Sequence, residues 1–505
     1  MELPRVAQTL LSKVPDRVVK RAQNLLERLP VVGDRVREER RKLVEGLREQ
    51  VRKHRPTDLA FSELPRAAID RQTLLATLRT LSTSESPQWR DGRLSGGVYH
   101  GDASHVGFLD EVYSLYSQSN PLHADVWPSV VRFEADLVAM TAKLVGGDAK
   151  AVDDEAAVCG TLSSGGTESI MLAMKAQRDA GRERGIRHAS IVAPTSAHPA
   201  FDKAGHTLDM ELIRVPVAAD GRADVAAMKA AVRSNTVVMV GSACSFPHGV
   251  VDDIASLSDF ARSRGLGFHS DGCLGGFILA FAKEAGFQVP AFDFSLPGVT
   301  SMSIDLHKFG YAAKGTSVVL YRGRALRRHQ YFTSPAWSGG LYATPGFAGS
   351  RPGALIASAW AAMMSMGHDG YVNATRQVLE TGRSVKAAIG RIPELKIVGD
   401  PLWVIAFTSD TVDVFRVLDE MSKRGWSLNG LQSPPAVHVC LTLRHAQPGV
   451  VEAFERDLRD SVQAVRDVPP SKDGMAPVYG LASSMPFKGL VGDLLSSYLD
   501  ALYDA

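Results

Sequence analysis

Between about residues 120 and 370, short apolar runs alternate with stretches whose apolar positions recur at helical spacing. Ser190–Ala193, Leu212–Pro216, Val237–Val240, Leu266–His269, Thr300–Ile304 and Ser317–Tyr321 are too short for helices and predict strands. Phe133–Leu144, Thr167 to about Asp179, Ala223–Val232 and Ile254–Arg264 predict the helices around and between them. Strands that alternate with helices imply an α/β unit, its sheet mostly parallel and covered on both faces. Beyond about 370 the pattern becomes that of a smaller α+β unit. Its helices are expected at Val372–Ile392, Asp413–Arg424 and Val450–Val465, its strands at Leu402–Phe407 and near Val437–Leu443.

The first 55 residues carry a third pattern. Leu10, Leu11, Val14, Val18, Val19, Ala22, Leu25, Leu26 and Leu29 recur at near-helical spacing, broken by Pro4, Pro15, Pro30 and Gly33. Fifteen Lys/Arg against eight Asp/Glu make this arm basic, whereas the whole chain has a formal charge of only +2. It reads either as a helix packed on the body or on a partner subunit, or as an amphipathic element resting on a membrane surface.

Composition narrows the class. A hydrophobic content of 45% with 22% charged residues is that of a soluble globular chain, and 505 residues suffice for two or three structural units. No strongly basic domain points to nucleic acid as a partner. The cysteines, at 159, 244, 273 and 440, lack metal-site spacing and suit a reducing compartment. No apolar stretch of membrane-spanning length and no signal-peptide pattern is present, so the expected location is the cytoplasm.

The chemistry centres on Lys308, in Ser303-Ile304-Asp305-Leu306-His307-Lys308-Phe309-Gly310-Tyr311. A lysine just past a strand of an α/β unit can present its amine to pyridoxal 5′-phosphate; without the cofactor it is a loop lysine. Such a cofactor needs a phosphate site, a partner for its ring nitrogen and a stacking group. Ser163-Ser164-Gly165-Gly166-Thr167-Glu168-Ser169 leads into a helix and reads as a phosphate cradle or as a capped helix start. Asp271 ends an apolar run, where α/β sheets bind ligands, and reads as a partner for a pyridinium nitrogen or as a turn cap. His198, just past another strand, reads as a stacking ring or a surface histidine. Lys314 reads as a second active-site amine, for a phosphate or a proton, or as a turn residue.

Taken together these segments closely resemble the sphingosine-1-phosphate lyases, within the fold-type I pyridoxal-phosphate enzymes related to group II amino-acid decarboxylases. The resemblance spans about residues 60 to 500. It rests on Ser95-Gly96-Gly97-Val98-Tyr99, Ser119-Asn120-Pro121-Leu122-His123, Ser163–Ser169 and His198-Pro199-Ala200-Phe201-Asp202-Lys203-Ala204. Phe246-Pro247-His248-Gly249-Val250, Asp271-Gly272-Cys273-Leu274-Gly275-Gly276-Phe277, His307–Gly315 and Ala348-Gly349-Ser350-Arg351-Pro352-Gly353 complete it.

The resemblance implies a large sheet of the seven-stranded type, a small C-terminal domain and a homodimer with shared active sites. It divides the chain into a basic arm (1–55), a segment serving the active site and the dimer (56–119), a large cofactor domain (120–370) and a small domain (371–505). It implies that Lys308 holds pyridoxal 5′-phosphate, that Asp271 pairs with the ring nitrogen and that His198 stacks on the ring. Gly166, Thr167 and His307 would contact the cofactor phosphate with Ser350 of the neighbouring subunit, and Cys273 lies near the cofactor. Tyr99, Asn120, His123 and Lys314 would surround the substrate phosphate, with Tyr99 and Lys314 as candidates for proton transfer.

The implied reaction cleaves a phosphorylated sphingoid base at C2–C3 into a fatty aldehyde and phosphoethanolamine. An amino-acid decarboxylase on the same fold and a non-catalytic membrane- or partner-binding module are the alternatives. Two features depart from the family pattern: a basic arm stands where members in complex cells carry a transmembrane anchor, and Ala313 stands where proline is usual.

Overall fold

The computed structural model of the chain describes residues 61–85, 87–148, 157–466 and 488–503, with 38, 41, 44–46, 48 and 49. Apart from those few helical positions, the arm expected at 1–55 and its membrane contact lie outside the described residues. The chain forms two compact units, Gln88–Asn429 with Ala436–Asp467, and Met1–Pro87 with Gly430–Pro435 and Val468–Ala505. In the second of these, the described helices are Arg71–Ser84, whose first turn is capped by the Asp70 carboxylate, and Lys488–Tyr503.

The larger unit is built on a seven-stranded sheet. Its strands are β1 (Val158–Ser163), β2 (Ser190–Pro194), β3 (Glu211–Val215), β4 (Thr236–Ser242), β5 (Gly267–Asp271), β6 (Ser301–Ile304) and β7 (Ser317–Arg322). They lie in the order β1-β7-β6-β5-β4-β2-β3. The run from β6 to β3 is parallel, and β7 is antiparallel to both its neighbours. Every residue of β2, β4, β5 and β6 is buried, as a sheet covered on both faces requires.

Each of the six strands expected from apolar runs forms within one or two residues of its expected ends. Strand β1 was not legible. Its sequence Val-Cys-Gly-Thr-Leu-Ser has a glycine at its centre, which weakens strand propensity. The position demands that glycine, because a Cβ on Gly160 would lie 2.2 Å from the Val319 carbonyl oxygen of β7. Helix Gly166–Glu183 packs against this sheet with Ile170, Leu172, Ala173 and Met174 buried, and Phe201 of helix Ala200–Leu208 joins the same core.

A smaller antiparallel arrangement follows, in which Val404–Thr408 pairs with Lys396–Ile397 on one side and with residues 437–440 on the other. The helix expected at 372–392 begins earlier, at Gly353, and runs to Gly390 across a break at Gly367, where φ is +60°. Its first part, Gly-Ala-Leu-Ile-Ala-Ser-Ala-Trp-Ala-Ala-Met-Met, is apolar on nearly all sides, so burial there leaves no helical period to read. No helix among the described residues is long and apolar enough to cross a membrane.

Candidate active site

The parallel strands place the candidate residues at their C-terminal ends, where α/β sheets bind ligands. Ser242, Asp271 and Ser303 are register partners across β4, β5 and β6, and Lys308 follows β6 by four residues. A cavity of about 480 Å³ opens there, lined by Tyr99, Gly166, Thr167, His198, Asp271, Cys273, His307 and Lys308, among others. Eight residues from five segments that are far apart in sequence, each residue expected to serve one site, therefore share one wall.

Lys308 is fixed from both sides. Its Nζ lies 2.9 Å from Oδ2 of Asp305, a carboxylate only 2% exposed whose other oxygen has no hydrogen-bond partner among the described residues. Burial, the largest single effect, favours the neutral amine; the Asp305 charge and its hydrogen bond oppose it, and the net result of all the neighbouring groups is a raised Lys308 pKa. The loop beyond Lys308 is pinned by Tyr311, a bulky residue at φ +60°. Such a conformation costs about 1–3 kcal/mol and persists only under surrounding constraint. Here Tyr311 stacks on Tyr371 at 5.8 Å, and its carbonyl meets His105 Nε2 at 2.8 Å. The turn containing Ala313 is closed by Ala312 N–H donating to Leu306 O and by Thr316 Oγ1 donating to Ala313 O.

The fit of pyridoxal 5′-phosphate can be judged from the helix that starts at Gly166. Several other helices open under an aspartate cap, Asp102, Asp224, Asp253 and Asp413, which occupies the first free N–H groups. Helix Gly166–Glu183 opens under Gly165 with no capping side chain, so its first-turn donors and its positive end remain for an anion. Glu168 shapes this turn by accepting from Ser164 N and Oγ, at 2.7 and 2.6 Å. A side chain at 166 is excluded, since its Cβ would lie 2.7 Å from Cys273 Sγ.

The His307 ring lies against Gly165, and its Nδ1 accepts from Thr316 N–H at 3.2 Å, which leaves the proton on Nε2. Burial lowers the His307 pKa, so the ring is a neutral donor beside this anion site. A phosphate cradle, a carboxylate at the end of β5 and an amine in one cavity fit this cofactor.

The remaining groups have defined states. Asp271 accepts from Cys273 N at 3.1 Å and from Ser303 Oγ at 3.3 Å. His198 is exposed on the cavity wall, and its Nδ1 accepts from Ala200 N–H at 3.1 Å. Burial holds the Cys273 thiol far above its ordinary pKa, so it is no nucleophile. Burial likewise raises the Tyr99 phenol, which stays protonated.

Lys314 does not line the cavity but sits behind Tyr99, its Nζ 4.7 Å from the ring centroid. Part of Lys314 is exposed, yet desolvation of its ammonium, followed by the Lys308 charge, lowers its pKa to about 8. Asn120, His123 and Ser350 are also not among the lining residues. Asn120 Nδ2 donates to Ser350 Oγ at 3.1 Å and its Oδ1 accepts from Arg351 N, so these loops travel together.

Residues without an expected role also enter the wall: Cys244, Phe246 and Asp305. Asp305 had a signal in its place one helical turn before Lys308. Asp305→Asn is expected to shift cofactor capture by the cofactor-free protein to lower pH. Without the counter-charge, burial favours the neutral, nucleophilic amine. The rate at which bound-cofactor absorbance appears, followed against pH, checks this; an unchanged profile would remove Asp305 from the account.

The pyridoxal-dependent decarboxylase conserved domain matches residues 63–408. The sphingosine-1-phosphate lyase of Arabidopsis thaliana is 47% identical over 418 residues, which cover 82% of this chain and 76% of the relative. That of Dictyostelium discoideum is 42% identical over 493 residues, covering 96% and 90%. The solved structure of the Burkholderia pseudomallei sphingosine-1-phosphate lyase is 42% identical and superposes with a TM-score of 0.82, covering 88% of this chain and 98% of that one. Lactobacillus brevis glutamate decarboxylase superposes with a TM-score of 0.70 at 18% identity, a likeness of fold alone.

Fold and cavity thus define a lyase of the pyridoxal-phosphate-dependent decarboxylase class. Within that class, the chain belongs to the sphingosine-1-phosphate lyase family.

Proposed function

We propose that this chain cleaves the C2–C3 bond of phosphorylated sphingoid bases, giving a long-chain aldehyde and phosphoethanolamine. The observation that carries the reading is the convergence of Lys308, Asp271, His198 and an uncapped helix start on one cavity, in a chain of this family. When bound, pyridoxal 5′-phosphate supplies the electron sink for the pair released from the breaking bond.

The chain's own groups do the rest. Gly166 and Thr167 at the helix start and the Nε2–H of His307 would hold the cofactor phosphate. Asp271 would pair with the ring nitrogen, His198 would cover the ring, and Lys308 would supply the amine that holds the cofactor. Lys314, whose amine is poised near neutrality, takes the proton of the C3 hydroxyl by way of Tyr99 rather than by direct contact. Tyr99, which lines the cavity, relays it: the phenol oxygen accepts the substrate's proton as its own proton passes to Lys314.

Asn120, His123 and Ser350 belong in this reading to the cavity of a second copy, which makes the enzyme a homodimer with shared sites. Support comes from the Asn120–Ser350 hydrogen bond, which holds these two groups together, while none of the three lines the cavity of its own chain. Mixing inactive Lys308→Ala and Ser350→Ala proteins and letting subunits exchange is expected to restore part of the activity, because a hybrid dimer holds one intact site. An inactive mixture of exchanged subunits would sink the shared site. A cytoplasmic location, with residues 1–55 resting on the membrane that holds the amphiphilic substrate, belongs to the same proposal.

Product analysis by mass spectrometry tests the reaction. Holoenzyme incubated with a sphingoid-base phosphate is expected to yield aldehyde and phosphoethanolamine in equal amounts. Unchanged substrate, with cofactor bound, would overturn the assignment; carbon dioxide from amino acids would replace it with a decarboxylase.

A further inference from the structure

Behind Asp271 lies a buried chain of polar groups that the reaction above does not use. Residues 269 and 271 share one face of β5, and residues 301 and 303 share one face of β6, by the two-residue period of a strand. The parallel register sets His269 beside Ser301 and Asp271 beside Ser303. Ser301 Oγ lies 3.0 Å from His269 Nδ1, His269 Nε2 lies 3.1 Å from Ser303 Oγ, and Ser303 Oγ lies 3.3 Å from Asp271 Oδ1. His269, Ser301 and Ser303 are all 0% exposed, and the edge of Phe201 closes the imidazole off at 5.9 Å.

Proton counting selects one arrangement. A neutral imidazole has one donor and one acceptor, and each hydroxyl has a single proton to give. If Nδ1 carried the proton, Ser303 would donate to Nε2, and its oxygen lone pairs would face the Asp271 carboxylate. If Nε2 carries it, Ser301 donates to Nδ1, Nε2–H donates to Ser303, and Ser303 donates to Asp271 Oδ1. The second arrangement satisfies every group and stabilises the anion, which matters where an unmatched buried polar group is costly. Burial lowers the His269 pKa to about 4, against the smaller opposing pull of Asp271, so the ring is neutral as the count requires.

We propose that His269 is a positioning residue acting through Ser303. By fixing the serine proton on Oδ1, it orients Asp271 so that Oδ2 pairs with the cofactor's ring nitrogen. The inference rests on the assignment of Asp271 to that nitrogen. Its consequence is that ring-nitrogen protonation and cofactor retention depend on two residues that need not touch the cofactor.

Nitrogen NMR of holoenzyme loaded with ring-¹⁵N cofactor tests this, together with the cofactor dissociation constant. The wild type is expected to show a protonated ring nitrogen and Asp271→Asn an unprotonated one. Ser303→Ala is expected to lose part of that protonation and to weaken cofactor binding roughly tenfold, the scale of one hydrogen bond to a charged group. Ser303→Thr, which keeps the hydroxyl, should restore both, and His269→Phe should match Ser303→Ala. If His269→Phe does not fold, Ser303→Ala against Ser303→Thr decides alone.

A wild-type spectrum and affinity in Ser303→Ala, with protonation lost in Asp271→Asn, overturns the relay and leaves the role of Asp271 standing. A protonated ring in Asp271→Asn overturns both.

Discussion

Lys308→Ala is expected to abolish turnover, by about 10³-fold or more, and to leave the cofactor bound only non-covalently. The size follows from the geometry. Lys308 is the amine on the cavity wall, held 2.9 Å from the buried Asp305 by a loop that Tyr311 and Tyr371 lock in place. No water or neighbouring side chain can take over a covalent attachment. The substitution also leaves the Asp305 carboxylate buried without its cation, which is strongly destabilising, on the order of 3–5 kcal/mol for such pairs. Thermal unfolding of the cofactor-free variant should therefore show a lowered midpoint, and Lys308→Ala/Asp305→Asn should recover it while remaining inactive. Turnover retained by Lys308→Ala would refute its assignment.

Lys314→Met is expected to lower turnover by about 10²-fold or more, the usual scale of a general base, while the cofactor stays covalently bound. The pH profile then distinguishes the two roles open to this residue. A base must be neutral, and the Lys314 pKa is lowered to about 8 by desolvation and then by the Lys308 charge. Wild-type turnover should thus rise as pH climbs through a Lys314 pKa below the ordinary lysine range, and Lys314→Met should lose that limb. A residue that only held the substrate phosphate would act as the cation, and turnover would fall through the same range. Measuring the rate at saturating substrate against pH for both proteins decides. A wild-type profile that falls, or one unchanged by the substitution, removes Lys314 as the base.

Much of this molecule is legible along the chain because its sheet is buried on both faces. Strands β2, β4, β5 and β6 stand out as short runs since every inward and outward position avoids water, and the helices between them keep a polar side. The residues at the ends of those runs could be singled out too, because a ligand site at strand ends needs a lysine, an aspartate and a glycine turn at particular places in the order of elements. Lys308, Asp271, His198 and the Gly165–Gly166 turn are such residues, and they share one cavity.

Other features carry no local signature. Gly160 hides β1 because the close approach of Val319 is a contact between residues remote in sequence. The first half of helix Gly353–Gly390 is apolar on nearly all sides and shows no period. The role of Asp305, the protonation of Tyr99 and the lowered pKa of Lys314 arise from burial and from neighbouring charges. The His269–Ser303–Asp271 chain exists only because β5 and β6 lie parallel in a register that sets 269 beside 301 and 271 beside 303. A sequence determines which groups are available and on which element each one sits. Distance, dielectric surroundings and the proton each group carries are set by what the folded chain brings against it, and those were decided by the tertiary structure.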